Sequence, residues 1–276
     1  MKKKILCISR ADVYSPQNPV RDFSMISATC DALRAEDFEV SLMSEEKVED
    51  VSGFDAVLSM GRLPKTLKML SRAQQSGILV LNNPTSVALC GARYQLLCTL
   101  REVALIPHFE LALGVVKPPF PYWIKADGYT TDAFPVQKCP AHFPIAAPLM
   151  QRCLYMQHVE GILVKFYGVK HTGFFEVRVE NAKQTKLASD ENAASFEKAF
   201  ESRSKAILTA VKNMAEQAAS RISLDIYGGD AVIDAENRVW LIDFNDWPSF
   251  SSCRERAAAA ISRRVTEIFR QGVEVS

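Results

Sequence analysis

The chain has 276 residues, 48% of them hydrophobic and 24% charged, with a formal net charge of +1. This is the profile of a globular chain with a sizeable core, long enough for one large domain or two modest ones. The balanced charge gives no sign of a nucleic-acid or membrane partner, and no run approaches the roughly 20 apolar residues that cross a bilayer.

The seven cysteines form no C-x-x-C pair, so no disulfide framework is expected and a reducing cytoplasm is the expected compartment. Cys139 and His142 lie close together, but no second pair completes a zinc set. The opening Met1-Lys2-Lys3-Lys4 is superficially like the start of a signal peptide. The apolar run after it spans only Ile5–Ile8 and stops before Arg10, too short for such a segment, and reads as a buried first strand.

Strand and helix patterns then alternate. After the strand at 4–8 comes a polar loop through Ser15–Pro19, then a helix over 22–35 with Phe23, Ile26, Cys30 and Leu33 on one stripe. Strands are expected at 38–43, 56–60 and 78–81, with a helix between 65 and 75. Such alternation predicts right-handed βαβ units and a mostly parallel sheet, an α/β, Rossmann-like domain over residues 1–83. It has no G-x-G-x-x-G fingerprint, so no dinucleotide is assigned to it.

Asn82-Asn83-Pro84-Thr85 breaks this pattern, and Thr85 or Ser86 can cap a helix running to about residue 103. Beyond it, strands are expected in close succession at 109–113, 122–125, 153–159, 162–167 and 173–179, the rhythm of an antiparallel α+β region. A polar stretch at 183–192 leads into a long helix over 194–220. A hairpin of strands 224–234 and 239–244 follows, with a closing helix over 255–269. The second domain is placed at 84–276, with a lid subdomain at about 108–160.

The hairpin carries the chemistry. Counting outward from the polar turn Ala235–Arg238, a symmetric register sets Asp234 opposite Val239, Val232 opposite Leu241 and Asp230 opposite Asp243. Asn245, two residues beyond Asp243, points to the same face. Opposed carboxylates on an apolar hairpin repel, so one is protonated or a cation lies between them. Two carboxylates and an amide oxygen suit Mg²⁺ that also holds substrate phosphates. The alternative is a solvated hairpin end whose acids face water.

The sequence Gly229-Asp230, followed by Val239-Trp240-Leu241-Ile242-Asp243-Phe244-Asn245-Asp246-Trp247-Pro248, resembles the metal-binding end of the ATP-grasp superfamily, an acid, a hairpin, then acid-x-Asn-x-x-Pro. The resemblance covers most of the chain. It implies a Rossmann-like domain followed by a two-subdomain ATP-grasp region like the glutathione synthetase ATP-binding domain. It also implies ATP and Mg²⁺ as cofactors, with Asp230, Asp243 and Asn245 as metal ligands. Asp rather than Glu at 243 is the variant of the inositol-polyphosphate kinase branch.

Residues upstream take nucleotide roles under the same resemblance. Lys125, at the end of the strand Pro121–Lys125, matches the first ATP-contacting lysine, and its plain alternative is a solvated strand terminus. The loop Ala126–Ala133 has a glycine and hydroxyls that can fold backbone N–H groups over phosphates. Leu154–Gly161 resembles the hinge, with Gln157 and Val159 at the adenine and Glu160 near the ribose, although the usual ribose acid follows the glycine, where this chain has Leu163. Lys165 matches a lysine of the kinase branch and needs an anionic partner if buried. Arg178 supports phosphates or a second substrate, or pairs with Glu176 or Glu180.

The resemblance implies an enzyme, an ATP-grasp ligase that joins a carboxylate to an amine or thiol through an acyl phosphate. The alternatives are a kinase acting on a hydroxyl and a non-catalytic ATP-binding regulator. Some peptide-forming ligases carry arginine two residues before the first metal acid, where this chain has Gly228. The acceptor is expected to be a small molecule or peptide between the domains. Arg10 and Arg21, in and after the N-terminal loop, suit an acidic one, or are ordinary solvated charges.

Overall fold

The computed structural model describes residues 2–14, 19–113, 115–128, 136–146, 152–180 and 190–272, and only the backbone of residues 146 and 190–204. Among the described residues no helix is long and apolar enough to cross a membrane.

The first layer comprises β1 (Lys4–Ser9), α1 (Pro19–Ala35), β2 (Glu39–Ser44), β3 (Ala56–Ser59), α2 (Pro64–Gln75) and β4 (Leu79–Leu81). Its strands are all parallel, in the order β2-β1-β3-β4. Ile5, Cys7, Ala56 and Leu58 pack toward α1. Leu6, Ile8 and Val57 pack toward Leu70 and Ala73 of α2. Burial on both faces of β1 and β3 explains why these two strands read as unbroken apolar runs, whereas β2 is half exposed. Helix α1 begins at Pro19 rather than at 22, because proline's fixed φ suits a first helical turn.

Where one helix is expected after residue 84 there are two, α3 (Pro84–Gly91) and α4 (Arg93–Leu100), broken at Ala92 with φ −102° and ψ 75°. Asn83, not Thr85 or Ser86, caps α3 by accepting the Thr85 N–H at 2.9 Å. The Ser86 hydroxyl instead donates to the Ile222 carbonyl. The second start is stabilised from a distance, because Asp127 accepts the Tyr94 N–H at 2.8 Å in the first turn of α4.

Next come β5 (Phe109–Leu111), β6 (Val115–Val116), β7 (Tyr122–Ala126), β8 (Gln137–Cys139), β9 (Ile145–Ala146) and β10 (Cys153–Gln157). They form an antiparallel sheet, β5-β10-β7-β8, and a separate β6-β9 pair. The expected polar stretch at 183–192 falls largely outside the described residues.

The third layer holds β11 (Ile162–Val169), β12 (Phe175–Val179), α5 (Asp190–Arg221), β13 (Ile226–Ile233), β14 (Val239–Asp246) and α6 (Arg254–Gln271). Its antiparallel order is β12-β11-β13-β14. Val164, Phe166, Ala231, Leu241 and Phe244 cover one face, packed with Ile207, Val211 and Ala215 of α5 and Leu96 and Leu100 of α4. The alternate residues of the same strands occupy the other face. Helix α6 returns to the first layer, where Ala257, Ile261 and Val265 share a core with Ile26, Cys30 and Leu33 of α1. The unit expected over residues 1–83 is thus closed by the last helix of the chain.

Asn82 ties the first layer to the third. Its amide donates to the Ile226 carbonyl at 2.7 Å and accepts the N–H groups of Asp225 and Ile226 at 3.1 and 2.8 Å. That clamp fixes the start of β13 and therefore the height of Asp230 along the strand.

Candidate functional site: a charged row beneath a lysine

Asp230 lies opposite Asp243, as the hairpin pattern predicts, but the register that puts it there is not the symmetric one. The turn takes five residues, 234–238, so Ile233 pairs with Val239, Val232 with Trp240 and Ala231 with Leu241. Asp234 leaves the ladder because it organises the turn. Its carboxylate accepts the backbone N–H groups of Glu236 and Arg238, the Arg238 guanidinium and the Trp240 indole N–H. Ile242 is then the extra residue of a β-bulge, and it restores the pairing of Asp230 with Asp243.

The two neighbouring ladders extend this pair into a row. Asp230 is the direct partner of Lys165 on β11, and Lys165 is the partner of Arg178 on β12. Directly opposed residues share a face, so Arg178, Lys165, Asp230 and Asp243 cross all four strands as two cations followed by two anions. Lys165 also has Glu180 at 3.5 Å. Arg178 lies 3.7 Å from Glu176 and donates to the Ser252 carbonyl at 2.7 Å.

Burial first, and then the Asp243 charge, push the Asp230 carboxyl up to about 6, against the pull of Lys165 and Lys125. Burial also drives Asp243 upward, but Arg93, Lys125 and a hydrogen bond from the Asn245 amide outweigh it and hold that carboxyl below its ordinary value. The Asn245 Nδ2 to Asp243 Oδ2 distance is 3.0 Å. The pair thus splits into one carboxyl that holds its proton longer and one that is firmly ionised.

Lys125 reaches down from β7 of the sheet above. It is 8% exposed, and its ammonium donates to the Ile242 carbonyl at 2.8 Å. The bulge therefore aims that carbonyl at the lysine as well as setting the carboxylates. Burial pushes the Lys125 ammonium down, opposed by Asp243 and Asp230. A residue absent from the sequence reading joins it. Arg93, at the first position of α4, has Nε 3.6 Å from Asp243 Oδ1 and also donates to the Ala126 carbonyl. The sequence hides it because it sits inside what reads as one continuous helix; the break at Ala92 brings it to the carboxylates.

The hinge residues form a separate group. Gln157 ends β10, three residues past Leu154, the partner of Lys125. At about 3.3 Å per residue that is roughly 10 Å along the strand. Strand alternation turns its side chain away from the Lys125 face, and its N–H is taken by the His108 carbonyl at 2.7 Å. Val159 follows in the connection to β11. Glu160, on that connection, faces His158 at 2.7 Å and Lys138 at 3.5 Å. Gly161 is required there, since a Cβ would fall onto the Ile233 carbonyl. Residues 129–133 of the loop after Lys125 lie outside the described residues.

Arg10 is not a solvated charge. It is 7% exposed at the side chain and bonded to Asp22 at 2.8 Å and to the Met60 and Trp247 carbonyls, both at 3.1 Å. Arg21 is exposed on α1. All seven cysteines are free thiols.

Among the described residues no three His, Cys, Asp or Glu side chains are grouped to hold a metal. The candidate set is instead two carboxylates and one amide oxygen. Its fit to a hard cation rests on donor chemistry and placement: Asp230 and Asp243 are directly opposed across the hairpin, and the Asn245 amide is at Asp243 through its nitrogen, which leaves its oxygen as a third hard donor.

A four-stranded antiparallel sheet carrying acids, a second antiparallel sheet with its lysine turned toward them, and a preceding parallel α/β layer make up the ATP-grasp fold, and this chain has it. A RimK domain ATP-grasp protein from Sphaerobacter thermophilus superposes with a TM-score of 0.60 at 17% identity, over 95% of this chain and 99% of that one. The ATP-grasp ligase PsnB, complexed with a minimal precursor, gives 0.60 at 14% over 97% and 99%. A D-alanine–D-alanine ligase from Bacillus anthracis complexed with ATP gives 0.59 at 11% over 96% and 99%. The model of the Tubulin-tyrosine ligase family matches residues 175–275, a span that contains the whole hairpin and α6. No curated protein matches the chain by sequence.

Proposed function

We propose that the chain is a Mg-ATP-dependent ligase that activates a carboxylate as an acyl phosphate and passes it to an amine or thiol. The observation that carries the proposal is the charge layout around one point. Asp230, Asp243 and Asn245 supply oxygens for Mg²⁺, while Lys125, Arg93 and Lys165 surround them with positive charge. Carboxylates alone would repel a triphosphate; with those three cations beside them the site attracts one. Mg²⁺ held by these oxygens would supply neutralisation of phosphate charge.

The chain's own groups divide the remaining work. Lys125, buried between the sheets, gives the phosphates a fixed point charge, and Arg93 gives a planar one. Gln157, roughly 10 Å further along, and Val159 beyond it serve the base through backbone groups other than the Gln157 N–H, which His108 holds, with Glu160 near the ribose. In the reaction, an acceptor carboxylate oxygen takes the γ-phosphoryl group and ADP leaves. An amine or thiol then attacks the acyl carbon, and inorganic phosphate departs. Positioning and preorganised charge account for such a transfer.

The ligases among the structural relatives and the family model favour ligation. Gly228 argues that any such ligase works without the arginine that some peptide-forming relatives place there. A Cβ at that position would meet Pro248 Cγ at 2.8 Å and the Phe166 carbonyl at 2.9 Å. A second reading, a kinase phosphorylating a hydroxyl, is favoured by the Lys165–Arg178 half of the row, which extends positive charge away from the metal set toward an anionic acceptor. Product analysis separates the two. Turnover of Mg-ATP with candidate acceptors should yield ADP, free phosphate and an amide or thioester. Phosphate retained on the acceptor would establish the kinase instead, and tight ATP binding without turnover on any acceptor would leave a regulator.

A further inference from the structure

We propose that Asp246 is a positioning residue, and that its clamping by Arg62 and Arg10 makes the parallel N-terminal layer a structural part of the metal site. This inference rests on the Mg-ATP reading above. In the order β2-β1-β3-β4 the chain leaves β1 toward one side for β2 and returns to the other side for β3. The carboxyl ends of β1 and β3 therefore flank the topological switch point, the place where open α/β sheets receive ligands. Arg10 follows β1 and Arg62 follows β3.

Into that crevice comes a carboxylate of the third layer. Arg62 grips Asp246 through both edges, Nη2 to Oδ1 at 2.7 Å and Nε to Oδ2 at 3.3 Å, and Arg10 Nη2 stands 3.9 Å from Oδ2. The Asp246 side chain is 1% exposed and that of Arg62 11%. Arg10 also holds the Trp247 carbonyl, the next residue of the chain. Glu45, fully buried, braces both loops by accepting the N–H groups of Ala11 at 2.6 Å, Arg62 at 2.8 Å and Leu63 at 2.9 Å.

The consequence follows from strand alternation. Asn245 and Asp246 are successive residues of β14, so one points to the charged row and the other to the N-terminal loops. The peptide between them cannot swing while Asp246 is gripped bidentately, and the Asn245 amide is held at its 3.0 Å contact with Asp243. Loss of the grip frees Asn245 without touching any nucleotide contact of Lys125.

The test is calorimetric titration of the full chain with the ATP analogue AMP-PNP, with and without Mg²⁺. Arg62→Met and Asp246→Asn are expected to lower the Mg²⁺-dependent gain in affinity by about tenfold or more, as losses of groups that orient metal ligands do. Metal-free affinity should stay within about twofold of wild type, and Arg62→Lys should recover part of the gain. If Arg62→Met does not fold, Asp246→Asn and Arg62→Lys carry the comparison. Variants that keep the wild-type Mg²⁺ gain, whatever their melting temperature, overturn the positioning role alone. A wild-type chain with no Mg²⁺ gain overturns the metal reading and this inference with it.

Discussion

Lys165 and Asp230 face each other across the ladder between β11 and β13, so the carboxylate pair is bordered by a cation of its own sheet. Lys165 lowers the Asp230 carboxyl that burial and Asp243 raise. Lys165→Met removes that restraint. The pH at which Mg²⁺-dependent AMP-PNP binding reaches half its plateau should therefore move upward relative to wild type. Titration at several pH values checks this, and an unchanged midpoint would mean that Lys165 does not act on the pair.

The raised Asp230 carboxyl also sets the sign of a stability effect. Its folded value of about 6 lies above the ordinary unfolded value near 3.9. Between those values the folded chain holds a proton that the unfolded chain has released. The Asp230 contribution to metal-free stability therefore falls as pH rises from about 4 to about 6, and then levels. Asp230→Asn removes this penalty. In urea melts without metal it should be more stable than wild type at pH 7.5, by on the order of 1 kcal/mol, and equal to it near pH 4. A variant less stable than wild type at pH 7.5 would contradict the electrostatics assigned to the pair.

Lys125 bridges the two sheets through the Ile242 carbonyl. Lys125→Met keeps the stem and deletes the charge, so the carbonyl loses its donor and the phosphates lose theirs. AMP-PNP affinity should fall by about tenfold or more, with or without Mg²⁺. An unchanged affinity would remove Lys125 from the nucleotide site.

Arg93→Gln tests the residue that the broken helix delivers. Arg93 is the largest influence holding Asp243 below its ordinary value. Without it Asp243 should titrate higher, and Mg²⁺-dependent binding should weaken most at low pH. A uniform loss at every pH would point to a phosphate contact that does not act through Asp243.

The parts of this site that could be read in the sequence are those fixed by short-range rules. Apolar runs mark the buried parallel strands β1 and β3, and two acids flanking a polar turn mark the hairpin. The pairing of Asp230 with Asp243 followed from counting outward from that turn, although two departures cancel: a five-residue turn organised by Asp234, and a bulge at Ile242. Periodicity sees neither, because both depend on where side-chain hydrogen bonds and backbone carbonyls find partners. A lysine among apolar strand residues needs an anionic partner, and two acids lie beside Lys165, Asp230 and Glu180. Arg93 and Arg62 were hidden for another reason. Each acts on a residue more than a hundred positions away, Asp243 and Asp246, through contacts that only the assembled layers create.

The proposed function places Mg²⁺ on the Asp230–Asp243 pair and Asn245 together with a nucleotide. A crystal grown with Mg²⁺ and AMP-PNP tests it most directly. The expected result is a metal at about 2.1 Å from oxygens of Asp230, Asp243 and Asn245, shared with the phosphates beneath Lys125. A nucleotide bound elsewhere, or bound here with both carboxylates metal-free and turned to solvent, would contradict it.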